Sequence, residues 1–431
     1  MKVHTLVDTN YKDREPWSND HIIEYRNKRL RDYLVYCAKY VPYYKKLFKE
    51  IGFDPYKLSS LDDLKALPIL NKRIVQKSYP EFISEIVPKN QRIILSTGGT
   101  TGSGFSFATT LSSIRQQYAI FWRYLNRHGI PFETWYGFFG GRKIVASTQK
   151  KPPFWRYNVP GKQIIFSAYH LGPETARYYL AELRKRRLDW LHGYPSVLFF
   201  LAKYMISTKT ELGYKPRWIT TASESLLPNQ AEVISNAFGI KPIQHYGMTE
   251  AVANISECKQ GCLHVDEDFS AVEFIPNSEG QGFRIVGTNF TNLAMPFLRY
   301  DTGDQARIYT GECSCGLPGR IISAIDGRIE DYVILKNGSF LGRLAHIFNQ
   351  MPNILEAQIY QNKIGALVIR VVKDKNYSIR DEYRLKRELE SRVGKETEVE
   401  IAYCNNLPRS KSGKLRFVIS DLLEGKCHEV K

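Results

Sequence analysis

Leu407-Pro-Arg-Ser-Lys-Ser-Gly-Lys-Leu-Arg416 is the last of four glycine-bearing stretches whose order decides the fold. Before it come Ser96-Thr-Gly-Gly-Thr-Thr-Gly102, His245-Tyr-Gly-Met-Thr-Glu250 and Arg299-Tyr-Asp-Thr-Gly-Asp304. Each alone is a turn of the kind any globular chain uses to reverse direction. The first is rich in glycine and hydroxyl groups. Ser96, Thr97, Thr100 and Thr101, with the backbone N–H groups of Gly98, Gly99 and Gly102, can wrap phosphate oxygens without a bulky side chain in the way. Gly102 is followed by Ser103-Gly104, where a Walker loop needs Lys and Ser or Thr, which argues against a P-loop NTPase. A flexible hairpin turn is the competing reading of this stretch.

The other three carry charge. Gly247 allows close backbone approach, while Thr249 and Glu250 set a hydroxyl beside a carboxylate, as a magnesium-bound phosphate requires; the alternative is a strand-ending turn. Asp304 suits bidentate acceptance from two ribose hydroxyls, since an ionised carboxylate only accepts. A structural Arg-to-Asp pair competes with that reading. Lys414 supplies a mobile point charge between Ser- and Gly-rich flanks, able to meet negative charge as it builds on an α-phosphate. A solvated surface lysine is its plain alternative.

Taken together and in this order, the motifs resemble the adenylate-forming superfamily of acyl-CoA synthetases, luciferases and peptide-synthetase adenylation domains, and most closely its phenylacetate-CoA ligase family. The resemblance covers nearly the whole chain. It implies that residues 96–102 hold the β- and γ-phosphates, Thr249 the α-phosphate, Glu250 the magnesium, Tyr246 the adenine ring by stacking, Asp304 the ribose and Arg328 ribose or phosphate. It places an adenine-contacting loop at Ala222-Ser-Glu-Ser225, with Ser223 and Glu224, and assigns adenylation to Lys414. Three positions depart from the family: Ser103-Gly104 stands where relatives often have Lys-Pro, Glu330 where many have Asp or Lys, and Gly338-Ser-Phe-Leu-Gly-Arg-Leu344 lacks a usual proline, which puts CoA as acceptor in question. Gly327-Arg-Ile-Glu-Asp-Tyr-Val333, Arg343-Leu-Ala-His-Ile-Phe348 and Glu356-Ala-Gln-Ile-Tyr-Gln361 look most like the branch associated with capsular and exopolysaccharide biosynthesis.

The expected activity is therefore an ATP- and Mg2+-dependent, AMP-forming ligation of a carboxylic acid to a thiol or an amine. Alternatives are amide formation on a uronic acid or other sugar-linked carboxylate, nucleotidyl transfer to a hydroxyl, and a non-enzymatic polyanion-binding scaffold. Trp135, Tyr136, Phe138, Phe139 and His192-Gly-Tyr-Pro-Ser196 are candidate walls of the acid pocket, with the core as their competing place.

Composition is that of an ordinary globular chain: 431 residues, 43% hydrophobic and 24% charged. No stretch is long and apolar enough for a membrane helix, and the first residues lack a secretory signal, so the expected location is the cytoplasm. The net charge of +17 attracts polyanions without naming one; no recognisable nucleic-acid motif organises the basic clusters, and no nucleic-acid partner is expected. Seven cysteines argue against a disulfide framework there. Cys258-x3-Cys262 and Cys313-x-Cys315 each lie beside glycine, where tight turns can bring thiolates to one ion, and His264 competes for a place in that set. Structural zinc and four unrelated thiols remain alternatives.

The chain reads as α/β, with a large multi-layer N-terminal domain over 1–328, a hinge at 329–331 and a small mobile α+β domain over 332–431. Residues 20–50 read as a basic amphipathic helical stretch. Arg92 to Ser96 and Phe105 to Thr109 read as strands, and Leu111, Ile114, Tyr118, Phe121 and Leu125 recur at helical spacing. Lys185 to Trp190 then Pro195 to Ile206, and Trp218 to Thr221 then Pro228 to Phe238, read as strand-and-helix alternations. Strands over 331–335, 356–360, 366–372 and 398–403, with a helix over 380–393, complete the pattern.

Overall fold

A computed structural model describes the chain outside residues 1–9, 98–104, 277–281, 326–332, 374–376, 408–417 and 425–431, and outside 147, 173, 227, 339, 342, 343, 345, 346, 348–350, 352 and 406. Gly98 to Gly102, Arg328, the hinge and Lys414 thus lie outside the described residues.

The chain opens with helices α1 (Asn10–Asp13), α2 (Asn19–Tyr40), α3 (Pro42–Ile51), α4 (Lys72–Lys77) and α5 (Tyr79–Phe82). Ser18 caps α2 by accepting from the His21 N–H. Pro42 at the first position of α3 divides the basic stretch into two helices, and Gly52, at φ 66°, ends the second. Strand β1 (Arg92–Thr97) pairs with β2 (Phe105–Thr110), whose last residue caps α6 (Leu111–Arg127) through its side chain. An alternating stretch follows: β3 (Tyr136–Gly140), β4 (Trp155–Asn158), β5 (Gln163–Ser167), α7 (Ala176–Arg186), β6 (Trp190–Gly193), α8 (Pro195–Ser207), β7 (Trp218–Ala222), α9 (Pro228–Phe238) and β8 (Ile243–Gly247). Strands β9 (Asn254–Glu257), β10 (Leu263–Val265), β11 (Ser270–Pro276), β12 (Phe283–Asn289), β13 (Tyr300–Ile308) and β14 (Ile321–Ile325) come next. The C-terminal part holds β15 (Val333–Ile334), β16 (Phe340–Leu341), β17 (Ile354–Lys363), β18 (Ala366–Lys373), α10 (Ile379–Val393), β19 (Glu398–Tyr403) and β20 (Val418–Ser420).

By compactness the chain forms two units, the first from residues 1–95, 106–133 and 243–328, the second from 96–105, 134–242 and 329–431. In the first, strands run in the order β11-β12-β13-β14-β10-β9-β8, and the described pairings are antiparallel. Its interior contains Asp266, Glu267 and Asp268 directly after β10, all nearly inaccessible. Burying three adjacent carboxylates is tolerable only with partners. Arg123 reaches Asp266 at 2.7 Å and Asp268 at 2.8 Å, Arg14 reaches Asp268 at 3.1 Å, and Arg26 and Arg320 reach Glu267 at 2.9 and 2.6 Å. These pairs fasten the N-terminal helices and α6 to the sheet. They also correct the face expected of α6: Leu111 and Tyr118 are 41% and 48% exposed, whereas Arg123 is 5% exposed. Of the apolar positions at helical spacing Leu125 is buried, but the buried face is made by Ala119, Ile120, Trp122 and Tyr124 and shares its seat with the Arg123 ion pairs.

In the second unit β7-β6-β3-β5-β4 form a sheet that is parallel except for β4, with α7, α8 and α9 contributing to its core. Lys185 and Arg186, expected in a strand, close α7 instead. Ala176, Tyr179, Leu180 and Leu183 bury one face of that helix, and the strand begins only at Trp190. The C-terminal part has its own core, in which Leu385, Leu389 and Val393 of α10 join Ile359, Leu367, Ile369 and Val371. Its strand order is β19-β18-β17-β20, and a Ser378–Asp381 capping box starts α10.

Candidate functional site

Two motifs expected at a nucleotide meet in the first unit. His245-Tyr-Gly247 ends β8, which pairs antiparallel with β9, matching Tyr246 to Ile255 and Gly247 to Asn254. Asp304 lies in β13, and the Tyr246 hydroxyl donates to Asp304 Oδ2 at 2.8 Å. The rest of the aspartate motif is fixed around it. Arg299, at φ 50°, donates through Nε and Nη2 to the two oxygens of Glu273 at 2.9 and 2.8 Å. Arg284 Nη2 takes Asp301 at 2.5 Å, and Thr302 Oγ1 accepts from the Asp304 N–H at 3.0 Å while donating to Ile285 O at 2.9 Å. The structural Arg-to-Asp pair is therefore real but belongs to Asp301, and Arg299 prefers a glutamate.

Thr249 and Glu250 lie in the turn after β8. Gln117 of α6 donates to Thr249 O at 3.2 Å and Asn289 of β12 to Glu250 O at 3.1 Å, so the turn is fixed through its backbone. Ala251 follows at φ 58°, a left-handed conformation uncommon without glycine. Thr249 is exposed and Glu250 half-buried. A Cβ on Gly247 would come within 3.1 Å of His245 Cε1 and 3.2 Å of Asn254 Oδ1, so this glycine serves packing as well as access.

Sequence reasoning missed what stands behind β8. The His245 ring packs against Phe121 and Tyr124, each centroid 5.1 Å away. Burial pushes its pKa down to about 4 despite the nearby Asp266 and a hydrogen bond with Asn254, so the imidazole is neutral at ordinary pH. Asn254 and Ser256 each donate to Asp266 at 2.6 Å, which ties the nucleotide-type strand to the arginine cluster. The only signal in the sequence was the unusual Asp-Glu-Asp run after an apolar strand.

In the second unit Ser96 and Thr97 end β1, and Ser223 and Glu224 follow β7. Ser223 has φ 72°, a strained turn at the carboxyl end of a parallel strand, where ligands gather in open α/β sheets. Of the candidate pocket walls, Phe139 belongs to the core: it is 1% exposed and stacks on Phe166 at 4.6 Å. Tyr136 stacks on Trp190 at 4.0 Å, and His192 Nδ1 shares a 2.8 Å hydrogen bond with Thr220 Oγ1.

The cysteines converge in the first unit. Cys258 and Cys262 flank the turn between β9 and β10, closed by the Gly261 N–H to Cys258 O at 2.9 Å with Gly261 at φ 86°. Cys313 and Cys315 come from the connection between β13 and β14, and β14 pairs with β10. The donor atoms of Cys258, His264, Cys313 and Cys315 all lie within 4.8 Å of one another, a set that holds His264 where the spacing suggested Cys262. Cys258 and Cys313 sulfurs are 3.6 Å apart, and Cys315 Sγ is 3.3 Å from His264 Nε2. His264 Nδ1 faces Pro318 O at 3.3 Å; donating there would leave Nε2 to an ion. Three thiolates and one imidazole suit a closed tetrahedral zinc site. Burial opposes the Cys313 thiolate, yet hydrogen bonds with His264, Cys262 and Cys315 bring its pKa down to about 6.

Comparison with known proteins follows the same lines. Residues 333–421 match the CapK C-terminal domain. The chain is 28% identical to Protein CapK of Staphylococcus aureus over 413 residues, covering 93% of this chain and 90% of that one. It is 23% identical to phenylacetate-coenzyme A ligase of Escherichia coli (strain K12), covering 95% and 98%. Among solved structures, 2-hydroxyisobutyryl-CoA ligase, in complex with 2-HIB-AMP and CoA in the thioesterification state, shares the fold with a TM-score of 0.61 at 19% identity, covering 95% of this chain and 92% of that one.

Proposed function

We propose that this chain, 28% identical to Protein CapK and 23% identical to a phenylacetate-coenzyme A ligase, is an adenylate-forming enzyme, an ATP-dependent, AMP-forming carboxylate ligase. A carboxylate oxygen attacks the α-phosphorus of Mg-ATP, the bond to pyrophosphate breaks, and an acyl-adenylate remains. A thiol or amine then attacks the acyl carbon, and AMP leaves with the shared electron pair. No covalent enzyme intermediate is needed; positioning and electrostatic stabilisation suffice. The observation that carries the reading is the 2.8 Å hydrogen bond from Tyr246 to Asp304, which brings the adenine-type and ribose-type motifs to one place.

In this reading Asp304 accepts from the ribose hydroxyls, Tyr246 stacks on the adenine, Thr249 meets the α-phosphate and Glu250 holds magnesium. Ser96 to Gly102, Ser223, Glu224 and Arg328 complete the nucleotide contacts. Lys414 meets the charge that develops in the first half-reaction, and residues 332–431 turn about 329–331 between the two halves. The likeness to phenylacetate-coenzyme A ligases supports CoA as the thiol acceptor; a uronic acid or other sugar-linked carboxylate joined to an amine is the alternative reading. Asp304→Asn tests the nucleotide assignment: KM for ATP rises about ten- to a hundredfold, the effect of losing charge-assisted hydrogen bonds. Replacing ATP by 2′-deoxy-ATP should penalise the wild type but add little in the variant. An unchanged KM in Asp304→Asn would remove the ribose role.

The same reading includes one structural zinc held by Cys258, His264, Cys313 and Cys315, joining the β9–β10 turn to the β13–β14 connection. Metal analysis of the purified protein should find one zinc per chain, and Cys313→Ser should lose it together with thermal stability. A stoichiometric metal content in Cys313→Ser, or none in the wild type, would dismiss the site.

A further inference from the structure

The charge of this chain is concentrated: residues 134–242 hold 16 Lys and Arg against six Asp and Glu. The parallel strands of the second unit start level with one another, Tyr136 beside Gln163 and Trp190, and Trp190 beside Trp218. Whatever immediately precedes those strands therefore lies along one edge of the sheet. That edge receives the turn after β4, the end of α7 and the segment between α8 and β7. Arg184, Lys185 and Arg187 are exposed at the end of α7, and Lys209, Lys215 and Arg217 are exposed before β7. The two groups touch. Arg184 Nε donates to Glu211 O at 2.9 Å, Arg187 lies over the Tyr214 ring at 5.5 Å, and Arg217 lies over Trp218 at 4.4 Å.

These contacts orient the guanidinium groups without neutralising them, since their partners are a carbonyl and two rings. Among the described residues, only Arg186 of this run is paired with a carboxylate, that of Glu182 at 2.9 Å. Favourable interaction with a helix C-terminus accounts for basic residues in the last turn of α7. It does not account for Lys209, Lys215 and Arg217. Apolar side chains stand on the same edge: Val159 is 62% exposed, Ile206 50% and Tyr157 47%, and Tyr157 is joined to α7 by Arg186 at 2.8 Å. A soluble polyanion would gain nothing from exposed aliphatic side chains, whereas an acidic bilayer uses both charge and insertion.

We propose that this amino-terminal edge of the parallel sheet, formed by Arg184, Lys185, Arg187, Lys209, Lys215 and Arg217 with Val159 and Ile206, docks on a membrane surface of acidic lipid. Among the described residues no helix is long and apolar enough to cross a membrane, so the association is peripheral. Ser223 and Glu224 leave β7 at the opposite edge, which keeps that end of the sheet open while the basic edge is docked.

The test is co-sedimentation of the full chain with vesicles of phosphatidylcholine alone or mixed with phosphatidylglycerol. Binding should require phosphatidylglycerol and weaken with salt. Lys185→Glu/Lys209→Glu/Lys215→Glu should lower it on the order of a hundredfold or more, at about one kcal/mol per basic residue. Val159→Ser/Ile206→Ser should lower it severalfold. Lys28→Glu/Lys46→Glu/Lys49→Glu makes the same change of net charge on exposed positions of α2 and α3 and should leave it within a few-fold. Melting curves matching the wild type confirm that the variants are folded. Absence of vesicle binding, equal loss in both charge variants, or binding to dextran sulfate but not to vesicles would each overturn the proposal.

Discussion

Lys414→Ala should slow acid-dependent pyrophosphate release by about a hundred- to a thousandfold, the effect of removing one preorganised transition-state charge. The residue lies in a ten-residue segment between two buried anchors, Leu407 and Val418, each 4% exposed. In the proposed role it acts through charge as the carboxylate attacks, not through ground-state binding, so KM for ATP should change little while kcat falls. The second half-reaction, started from supplied acyl-adenylate and acceptor, should keep most of its rate. Stopped turnover in both half-reactions would point to misfolding, and full activity would remove Lys414 from the chemistry.

The largest loss of stability is expected from Arg123→Met. This arginine is 5% exposed and bridges Asp266 and Asp268, both nearly inaccessible. Removing it leaves Asp268 to Arg14 at 3.1 Å and Asp266 to Arg127 at 3.5 Å, so these buried carboxylates are under-compensated; breaking a buried ion pair costs up to about 3–5 kcal/mol. Denaturant melts measure it. The exposed Lys65–Asp62 pair, at 2.7 Å, is the contrast, and Lys65→Ala should change stability by less than about 1 kcal/mol. The network also gives an acid limit. Burial alone would raise the Asp266 and Glu267 pKa values, but the arginines around them outweigh it and hold both below the usual carboxylate values. Their folded pKa values being depressed, the stability they contribute is present above the ordinary carboxylate range and disappears as pH falls through the lowered values. Arg123→Met should flatten that acid dependence.

How far the sequence could be read depends on which force forms each element. Trp218 to Thr221 and Pro228 to Phe238 were legible because an apolar strand and a proline-led helix announce themselves locally, and the C-terminal strands and helix likewise lie close to the expected ranges. The Tyr246–Asp304 meeting was legible only through resemblance, since 58 residues separate the partners and nothing local pairs them. Lys185 and Arg186 were misplaced because a basic helix end and an exposed strand edge look alike without the buried face beside them. Arg123 went unnoticed because helical periodicity counts hydrocarbon, and this helix is held not only by its apolar face but by ion pairs to residues more than a hundred positions away. Phe139 illustrates the opposite limit: an aromatic run does not distinguish a pocket wall from a core, and here the ring stacks inside. His264 joins the thiols because β10 pairs with β14, a tertiary fact that cysteine spacing alone does not contain.

The central claim is that a carboxylic acid is activated as its adenylate. Incubation with Mg-ATP and hydroxylamine, across aryl, fatty, amino and uronic acids, measures it directly through pyrophosphate and hydroxamate together. Equal amounts of pyrophosphate, AMP and hydroxamate, appearing only with a particular class of acid, are the predicted result. Pyrophosphate released without hydroxamate, with AMP retained on a hydroxyl-bearing product, would contradict it and make the protein a nucleotidyl transferase.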